Sequence, residues 1–336
     1  MSPSKTPNRD DLGRIVVVSE NIPNSDKSRL GRNRELMKTD SNYIDRIIKT
    51  VEAIPLEPVL YDDPIRFSHF AHLHKSDTVL PLWSGTDARN SLNYVPAICE
   101  MHGIRYLGPD IHGRIIERDK WLSKLLARQS GFTVAPGQAF STRLQSDDFN
   151  LGNLRWPLVI KPRFEGSSIG FFKDSILQDF SDYSPLVQRL YKIGIEQLVV
   201  EEFIGGRECH IVIMGNAHHS AIIGTYETVV EHDPTYFHHA LFDVNLKTAT
   251  PYSWTVKPIS FEDCLEPLSN MFFEELGFPN LLRIDGKLLD GKFYFIEANA
   301  LPDIGEKSVV AQSYIQMGKT YVDFLNDLLR TAVKDS

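Results

Sequence analysis

Leu281 to Ser308, LLRIDGKLLDGKFYFIEANALPDIGEKS, is the stretch on which the reading of this chain turns. Leu281, Leu282 and Ile284 make one apolar run and Phe293, Tyr294, Phe295 and Ile296 a second, with Asp290-Gly291 between them. That pattern predicts a β-hairpin. Residues two apart share a strand face, so Arg283 and Asp285 lie together on the first strand, and Glu297 and Asn299 on the second. Once paired, the hairpin carries two carboxylates, an amide and a guanidinium on one face and apolar residues on the other. Oxygen donors of this kind suit a hard divalent cation whose remaining positions are filled by phosphates and water. Arg283 beside them can hold a phosphate or a developing oxyanion. A solvated hairpin face with a cross-strand ion pair has the same spacing, so the rest of the chain has to decide.

The chain has 336 residues, enough for two or three packed units. Its hydrophobic content of 42% and charged content of 24% are those of an ordinary soluble globular protein. The formal net charge of -8 argues against nonspecific nucleic-acid binding and leaves no polybasic patch for a membrane. Cys99, Cys209 and Cys264 are far apart with no CxxC, so neither a zinc ribbon nor a disulfide framework is expected. The polar start, MSPSKTPNRDDLG, lacks the apolar core of a signal peptide, and no apolar run reaches the roughly 18 residues of a membrane span. A reducing, cytoplasmic setting is the expectation.

Upstream of the hairpin, residues 1–13 read as a disordered lead-in and Ile15–Val18 as a first strand. Ile44, Ile47, Ile48, Val51 and Ile54 mark a helix face capped at Asp40 or Ser41. Val79–Trp83 is a second strand, followed by a helix with Val95, Ile98 and Met101 that stops near Gly103. Alternation of strand and helix predicts a doubly wound α/β unit over residues 14–115. Trp121, Leu122, Leu125 and Leu126 then predict a helix ending at Gly131. Strands are expected at Pro157–Lys161, Gln197–Phe203 and Glu208–Met214. The segment Thr225–Pro258 shows little periodicity. Ser260 and Asp263 form a capping box for a helix stopped by Gly277, and Tyr321–Leu329 is the last helix. His218-His219 and His238-His239 make no zinc site, because adjacent strand residues face opposite ways and no Cys or acid cluster completes either pair.

Two further stretches carry chemistry. Lys161-Pro162-Arg163-Phe164-Glu165-Gly166-Ser167-Ser168-Ile169-Gly170 is a Lys at a strand end followed by a Gly/Ser loop. Such a loop can aim N–H groups and hydroxyls at phosphate oxygens, with the Lys as a point charge, although an ordinary turn has the same composition. No GxxxxGK[ST] loop is present there, and Gly318-Lys319-Thr320 is a false match because no strand precedes it. Glu201-Glu202-Phe203-Ile204-Gly205-Gly206-Arg207-Glu208 is an apolar strand that ends in acids, suited either to adenine and ribose or to solvent.

Together with Lys120, these segments resemble the ATP-grasp superfamily and, within it, the D-alanine–D-alanine ligases, over roughly residues 79–330. The motifs are KPRFEGSSIG, VVEEFIGGRE and the hairpin stretch, with IRYLGPD…RDKWLSKLLARQSGFTVAPG leading into them. The resemblance implies an α/β N-terminal domain (14–115) followed by a two-part ATP-grasp domain: a central subdomain over 116–210 and a C-terminal one over 211–336. It implies that Lys120 and Lys161 contact ATP phosphates beneath a loop bearing Ser167 and Ser168. Glu201, Glu202, Phe203 and Ile204 would form the adenine hinge, and Glu208 would hold the ribose. Asp285, Glu297 and Asn299 would bind two Mg2+ ions, a site that Mn2+ could also fill. Arg283, with Lys161 and Ser167, would be catalytic, and Ser308 would hold the carboxylate of the second amino acid. The reaction implied is ATP-dependent amide formation between small-molecule carboxylate and amine substrates through an acyl phosphate, under a lid of which Thr225–Pro258 is a candidate part. The family also suggests a homodimer, with no nucleic-acid or membrane partner.

Three departures concern the substrates. The family's Gly-Gly-x-Ser-x-Glu stretch is replaced by Val18-Ser19-Glu20-Asn21-Ile22-Pro23, leaving Glu20 as a substitute for its acid. Its His-Gly stretch is Ser84-Gly85-Thr86-Asp87-Ala88-Arg89-Asn90-Ser91, and its Pro-Gly after the metal-binding Asn is Pro302-Asp303, where a backbone N–H remains. The donor therefore need not be D-alanine. A ligase of a specialised pathway and a catalytically silent nucleotide-binding regulator stand as alternatives. Intact Lys161, Asp285, Glu297 and Asn299 speak against the regulator. Ser308 also fits a plain helix N-cap before Val309.

Overall fold

The computed structural model describes residues 12–19, 43–83, 85, 89–142, 151, 154–166, 170–241, 246, 254–260 and 265–333. The N-terminal unit alternates β1 (Ile15–Val18), α1 (Tyr43–Ala53), β2 (Pro58–Tyr61), α2 (Pro64–Phe70), β3 (Thr78–Pro81), α3 (Tyr94–His102) and β4 (Arg105–Tyr106). Its sheet is parallel throughout, in the order β2-β1-β3-β4. All four residues of β1 are buried, as a strand covered on both faces requires. Ile15 and Val17 pack towards α1, while Val16 and Val18 pack with Phe67, Val95 and Cys99 of α2 and α3. Leu12, placed in the lead-in by the sequence reading, is 2% exposed and belongs to this core. An apolar residue directly ahead of a fully buried strand is drawn in with it.

The chain continues through α4 (Ile111–Arg118), α5 (Lys120–Gln129), β5 (Thr133–Val134), β6 (Gly137–Ser141), β7 (Leu158–Pro162), β8 (Ile176–Leu177), α6 (Tyr183–Lys192) and β9 (Gln197–Glu202). After these come β10 (Arg207–Gly215), β11 (Ser220–Val230), β12 (Trp254–Pro258), α7 (Leu265–Glu275), β13 (Leu281–Leu289), β14 (Lys292–Ala300), α8 (Val309–Gln316) and α9 (Tyr321–Arg330). A four-stranded sheet, β6-β9-β7-β8, packs on α6 through Leu158, Ile160, Leu198 and Val200 against Leu186 and Leu190. A six-stranded sheet runs β12-β11-β10-β13-β14-β5. Its apolar face (Ile211, Ile213, Leu282, Ile284, Phe295) is covered by Ile116, Ala127, Phe272 and Phe273 from α4, α5 and α7. On the opposite face Val212, Met214 and Leu281 join the core with α8 and α9, and the rest carries polar side chains, Glu208, His210, Arg283, Asp285 and Lys287 among them.

The hairpin forms as its pattern requires. Asp290 and Gly291 both take positive φ, 50° and 76°, which suits the right-handed twist of the flanking strands. Several expectations differ from the structure. On α5 the buried residues are Ser123, Lys124 and Ala127, whereas Leu122 and Leu125 are 37% and 44% exposed. The helix is rotated so that Lys120 and Lys124, one turn apart, face the cleft. The division at residue 210 falls inside β10, which lies wholly in the six-stranded sheet, and β5 pairs with β14 in that same sheet. The ends of Thr225–Pro258 are regular, pairing as β11 and β12 from Tyr226↔Pro258 to Val230↔Trp254. Asp263 lies outside the described residues. Among the described residues no helix is long and apolar enough to cross a membrane.

Candidate active site

The site is built on the polar face of the six-stranded sheet. Arg283 pairs with Asn299 and Asp285 with Glu297 across the hairpin, while on the other side His210 pairs with Asp285 and Glu208 with Lys287. Asp285 is 5% exposed and its four acceptor positions are filled. Arg283 donates through Nε to Oδ1 (2.7 Å) and through Nη2 to Oδ2 (2.8 Å), and Asn299 Nδ2 donates to Oδ2 at 2.8 Å. His210 Nδ1 lies 2.7 Å from Oδ1, and its Nε2 lies 2.8 Å from Thr228 Oγ1. Burial alone would raise the Asp285 pKa, but Arg283 and His210 outweigh it and hold the carboxyl below the usual range. A bulge between Asp285 and Gly286 sets the local twist. The Phe293 ring fills the space over Gly286, where an added Cβ would come within 2.2 Å of Phe293 Cζ.

Lysines face this sheet. Asp119 caps α5 by accepting from the N–H groups of Trp121 and Leu122, and it is gripped by Arg163 through Nε (2.7 Å) and Nη2 (2.6 Å). That arrangement fixes Lys120, the first residue of α5. Its ammonium donates to the Glu165 carbonyl and lies 3.6 Å from Glu297 Oε2. Lys161, at the end of β7, and Lys124 both contact the buried Glu201 carboxylate, one on each oxygen. Burial, reinforced by Lys120 and Lys287, pushes the Lys161 ammonium down to about 8 against the pull of Glu297 and Glu208.

The two acids that end β9 are both paired within the fold. Glu201 serves two lysines, so its carboxylate is the shared counter-charge of Lys124 and Lys161. Glu202 is taken by Arg155, which donates from its backbone N–H (3.0 Å), Nε (3.1 Å to Oε2) and Nη2 (2.9 Å). The N–H groups of Glu202 and Phe203 go to the carbonyls of Pro136 and Pro157, each at 2.9 Å. Phe203 and Ile204 lead into the turn before β10, and Glu208 Oε2 meets Lys287 Nζ at 2.8 Å. Ser167, Ser168, Glu20 and Ser84 lie outside the described residues. The Ser308 hydroxyl caps α8, accepting from Ala311 N–H at 3.2 Å. Asp303 is exposed and accepts from Gly305 N–H at 2.8 Å. Tyr43 and Tyr321 hold this loop at Ile304, and Leu301 before it has a φ of 66°, a conformation a β-carbon disfavours.

Lys124, His210 and Lys287 were missed by the sequence reading. Each has a signal in retrospect. Lys287 stands two residues after Asp285 and His210 two after Glu208, which puts them on the same strand faces, and Lys124 stands one helical turn after Lys120.

Among the described residues no three His, Cys, Asp or Glu side chains gather as a metal cluster. Two carboxylates and an amide at facing registers are nonetheless the hard oxygen set that Mg2+ or Mn2+ takes when phosphates complete the coordination. Asn299 presents its amide nitrogen to Asp285 Oδ2, and turning that amide over would put its oxygen there instead, beside a carboxylate oxygen. The donor set fits a divalent cation once one of the four donors gives up its place on Asp285, as the turned Asn299 amide would.

Comparison with known proteins places these residues in context. The profile described as "D-ala D-ala ligase C-terminus" matches residues 128–330. A D-alanine–D-alanine ligase of Coprothermobacter proteolyticus is 26% identical over 263 residues, covering 77% of this chain and 83% of its own length. One of Corynebacterium aurimucosum is 25% identical over 309 residues, covering 88% and 83%. Among solved structures, the D-alanine–D-alanine ligase of Bacillus anthracis superposes with a TM-score of 0.70 at 19% identity, covering 96% of this chain and 97% of its own. A D-Ala:D-Ser ligase of Enterococcus faecalis gives 0.69 at 16% identity, covering 96% and 100%.

Proposed function

This chain belongs to the D-alanine–D-alanine ligase family and is an ATP-dependent carbon–nitrogen ligase, and we propose that it joins a carboxylate to an amino acid's amine through an acyl phosphate. One observation carries the reading. Lys120 bonds the Glu165 carbonyl at the start of the Gly/Ser loop and also stands 3.6 Å from Glu297, opposite Asp285. A single ammonium therefore bridges the phosphate loop and the carboxylate face, where the terminal phosphate of a triphosphate would lie.

In that position Lys120 and Lys161 hold phosphate oxygens while the donor carboxylate attacks the γ-phosphorus and ADP departs. Asp285, Glu297 and Asn299 would hold divalent cations, which neutralise phosphate charge when bound. The amine then attacks the acyl carbon. Arg283 spends two of its five N–H donors on Asp285, leaving others for the oxyanion, with the Asp303 N–H as a second donor. Collapse expels phosphate and leaves the amide. Ser167 and Ser168 belong to the loop that closes over the phosphates, and Ser308 would face the acceptor's carboxylate. Ile204 would offer its backbone to adenine, and Glu208 would take the ribose.

The donor end supports a departure from D-alanine. Arg89, within the segment that replaces the family's His-Gly stretch, stacks 3.7 Å over Phe164 and lies 3.8 Å from Asp119. A guanidinium there favours a donor of different charge or shape. ADP release with Mg-ATP, measured against D- and L-amino acids singly and in pairs, tests the proposal. Turnover with D-alanine alone would make the chain a D-alanine–D-alanine ligase with an unorthodox amino-binding site. Turnover only with another pair would name a different substrate. Nucleotide binding without turnover of any carboxylate–amine pair would reject ligase chemistry and favour a regulator.

A further inference from the structure

Lys287 has no part in the reading above, yet it is one of the most enclosed cations in the cleft, 4% exposed. It sits on β13 opposite Glu208 of β10, on the face that also carries Arg283 and Asp285. Its ammonium has three N–H donors. One goes to Glu208 Oε2 at 2.8 Å and one to the Phe237 carbonyl at 3.2 Å, and the Phe237 ring lies 4.8 Å away. The third donor remains for a ligand. Lys287 and Glu208 both lie near enough to Lys161 to act on its charge.

The register says what passes over this ammonium. Glu208↔Lys287 and His210↔Asp285 are pairs two residues apart, about 6.7 Å along the sheet. A nucleotide with its ribose at Glu208 and its terminal phosphates at Asp285 must carry its first phosphate across that interval. We infer that Lys287 binds the α-phosphate of the nucleotide, its third N–H donating to a phosphate oxygen while Glu208 keeps its free oxygen for the ribose. The inference rests on the ATP reading of the cleft. It adds a third phosphate-facing lysine to Lys120 and Lys161, and makes Glu208 a counter-charge as well as a sugar contact.

Calorimetric titration of the full chain with ADP and with adenosine tests it. Lys287→Met keeps the side-chain volume and removes the charge. ADP affinity should fall about tenfold or more, the scale of a lost charge-assisted hydrogen bond, while adenosine affinity changes less than about threefold. Lys287→Arg should keep ADP within about threefold of the wild-type chain. Retained adenosine binding shows in the same experiment that the variant is folded. Equal losses for adenosine and ADP would overturn the inference, because Lys287 would then act only through Glu208, and so would unchanged ADP affinity. A wild-type chain that binds neither ligand would overturn the nucleotide reading, and this assignment with it.

Discussion

His210 Nδ1 stands 2.7 Å from Asp285 Oδ1, and both side chains are buried, at 2% and 5% exposure. The imidazole is fixed from behind by Thr228 Oγ1 at 2.8 Å, so the carboxylate is held by a ring that cannot turn freely. Replacing His210 with Ala removes one of four donors to Asp285 and leaves Arg283 and Asn299 in place. Loss of a hydrogen bond to a charged group costs about 1.5–3 kcal/mol, a drop in Tm of several degrees. Mn2+ affinity, read by electron paramagnetic resonance, should weaken by about 10- to 100-fold, as for other groups that orient metal-binding side chains. Unchanged Mn2+ affinity would show that His210 only fills space.

Arg283 is the cation best placed for the oxyanion, and its bidentate grip on Asp285 sets its plane. Arg283→Lys keeps the charge and loses the planar fork. Turnover should fall about 100- to 1000-fold, the scale of a lost oxyanion donor, with the KM for ATP little changed. A rise in KM with normal turnover would move Arg283 from the reacting centre to ground-state binding.

With Lys161 on the phosphates as proposed, nucleotide capture is sensitive to pH. The folded Lys161 value of about 8 lies below the ordinary 10.5. The ammonium proposed to meet phosphate is therefore half lost at about pH 8 and increasingly lost above it, so kcat/KM for ATP should fall with a limb near 8. The effect on stability has the opposite slope. The folded chain binds fewer protons than the unfolded chain between about 8 and 10.5, so this group's cost to folding is present below 8 and relieved as pH rises through that window. Lys161→Arg should remove the limb from the kcat/KM profile, because a guanidinium does not titrate there. A limb that survives in the arginine variant belongs to another group.

The hairpin was legible because three independent signals agree within one stretch: period-two polar residues, two apolar runs and an Asp-Gly turn with both residues at positive φ. The pairing of Asp285 with Glu297 also needs the bulge between Asp285 and Gly286, because the two-residue turn alone would set Asp285 opposite Ile296. Lys124, His210 and Lys287 escaped because their partners come from elsewhere. His210 meets Asp285 only after β10 docks beside β13, a pairing separated by 75 residues that no local pattern encodes. The helix of α5 was legible from its apolar residues, but its orientation was not, since Lys120 and Lys124 turn towards acids on distant strands.

Glu201 is the acid on which the lysine wall depends, with Lys124 on one oxygen and Lys161 on the other. Glu201→Gln keeps the shape and removes the charge that the buried Lys124 and Lys161 ammoniums share. Breaking a buried ion pair from one side costs about 3–5 kcal/mol. Part of that cost is avoidable, because a buried ammonium without its counter-charge can release a proton, and this fixes the sign of the pH dependence. The folded variant binds fewer protons than its unfolded chain over a wider range than the parent does, so its stability climbs more steeply with pH. The Tm deficit against the parent should be largest near pH ~6 and smallest near pH ~9. In the same variant the limb in kcat/KM for ATP should move below about 8, since Lys161 loses the carboxylate that its ammonium contacts. A deficit that grows with pH, or a limb that stays in place, would mean that Glu201 does not govern the charge of Lys161.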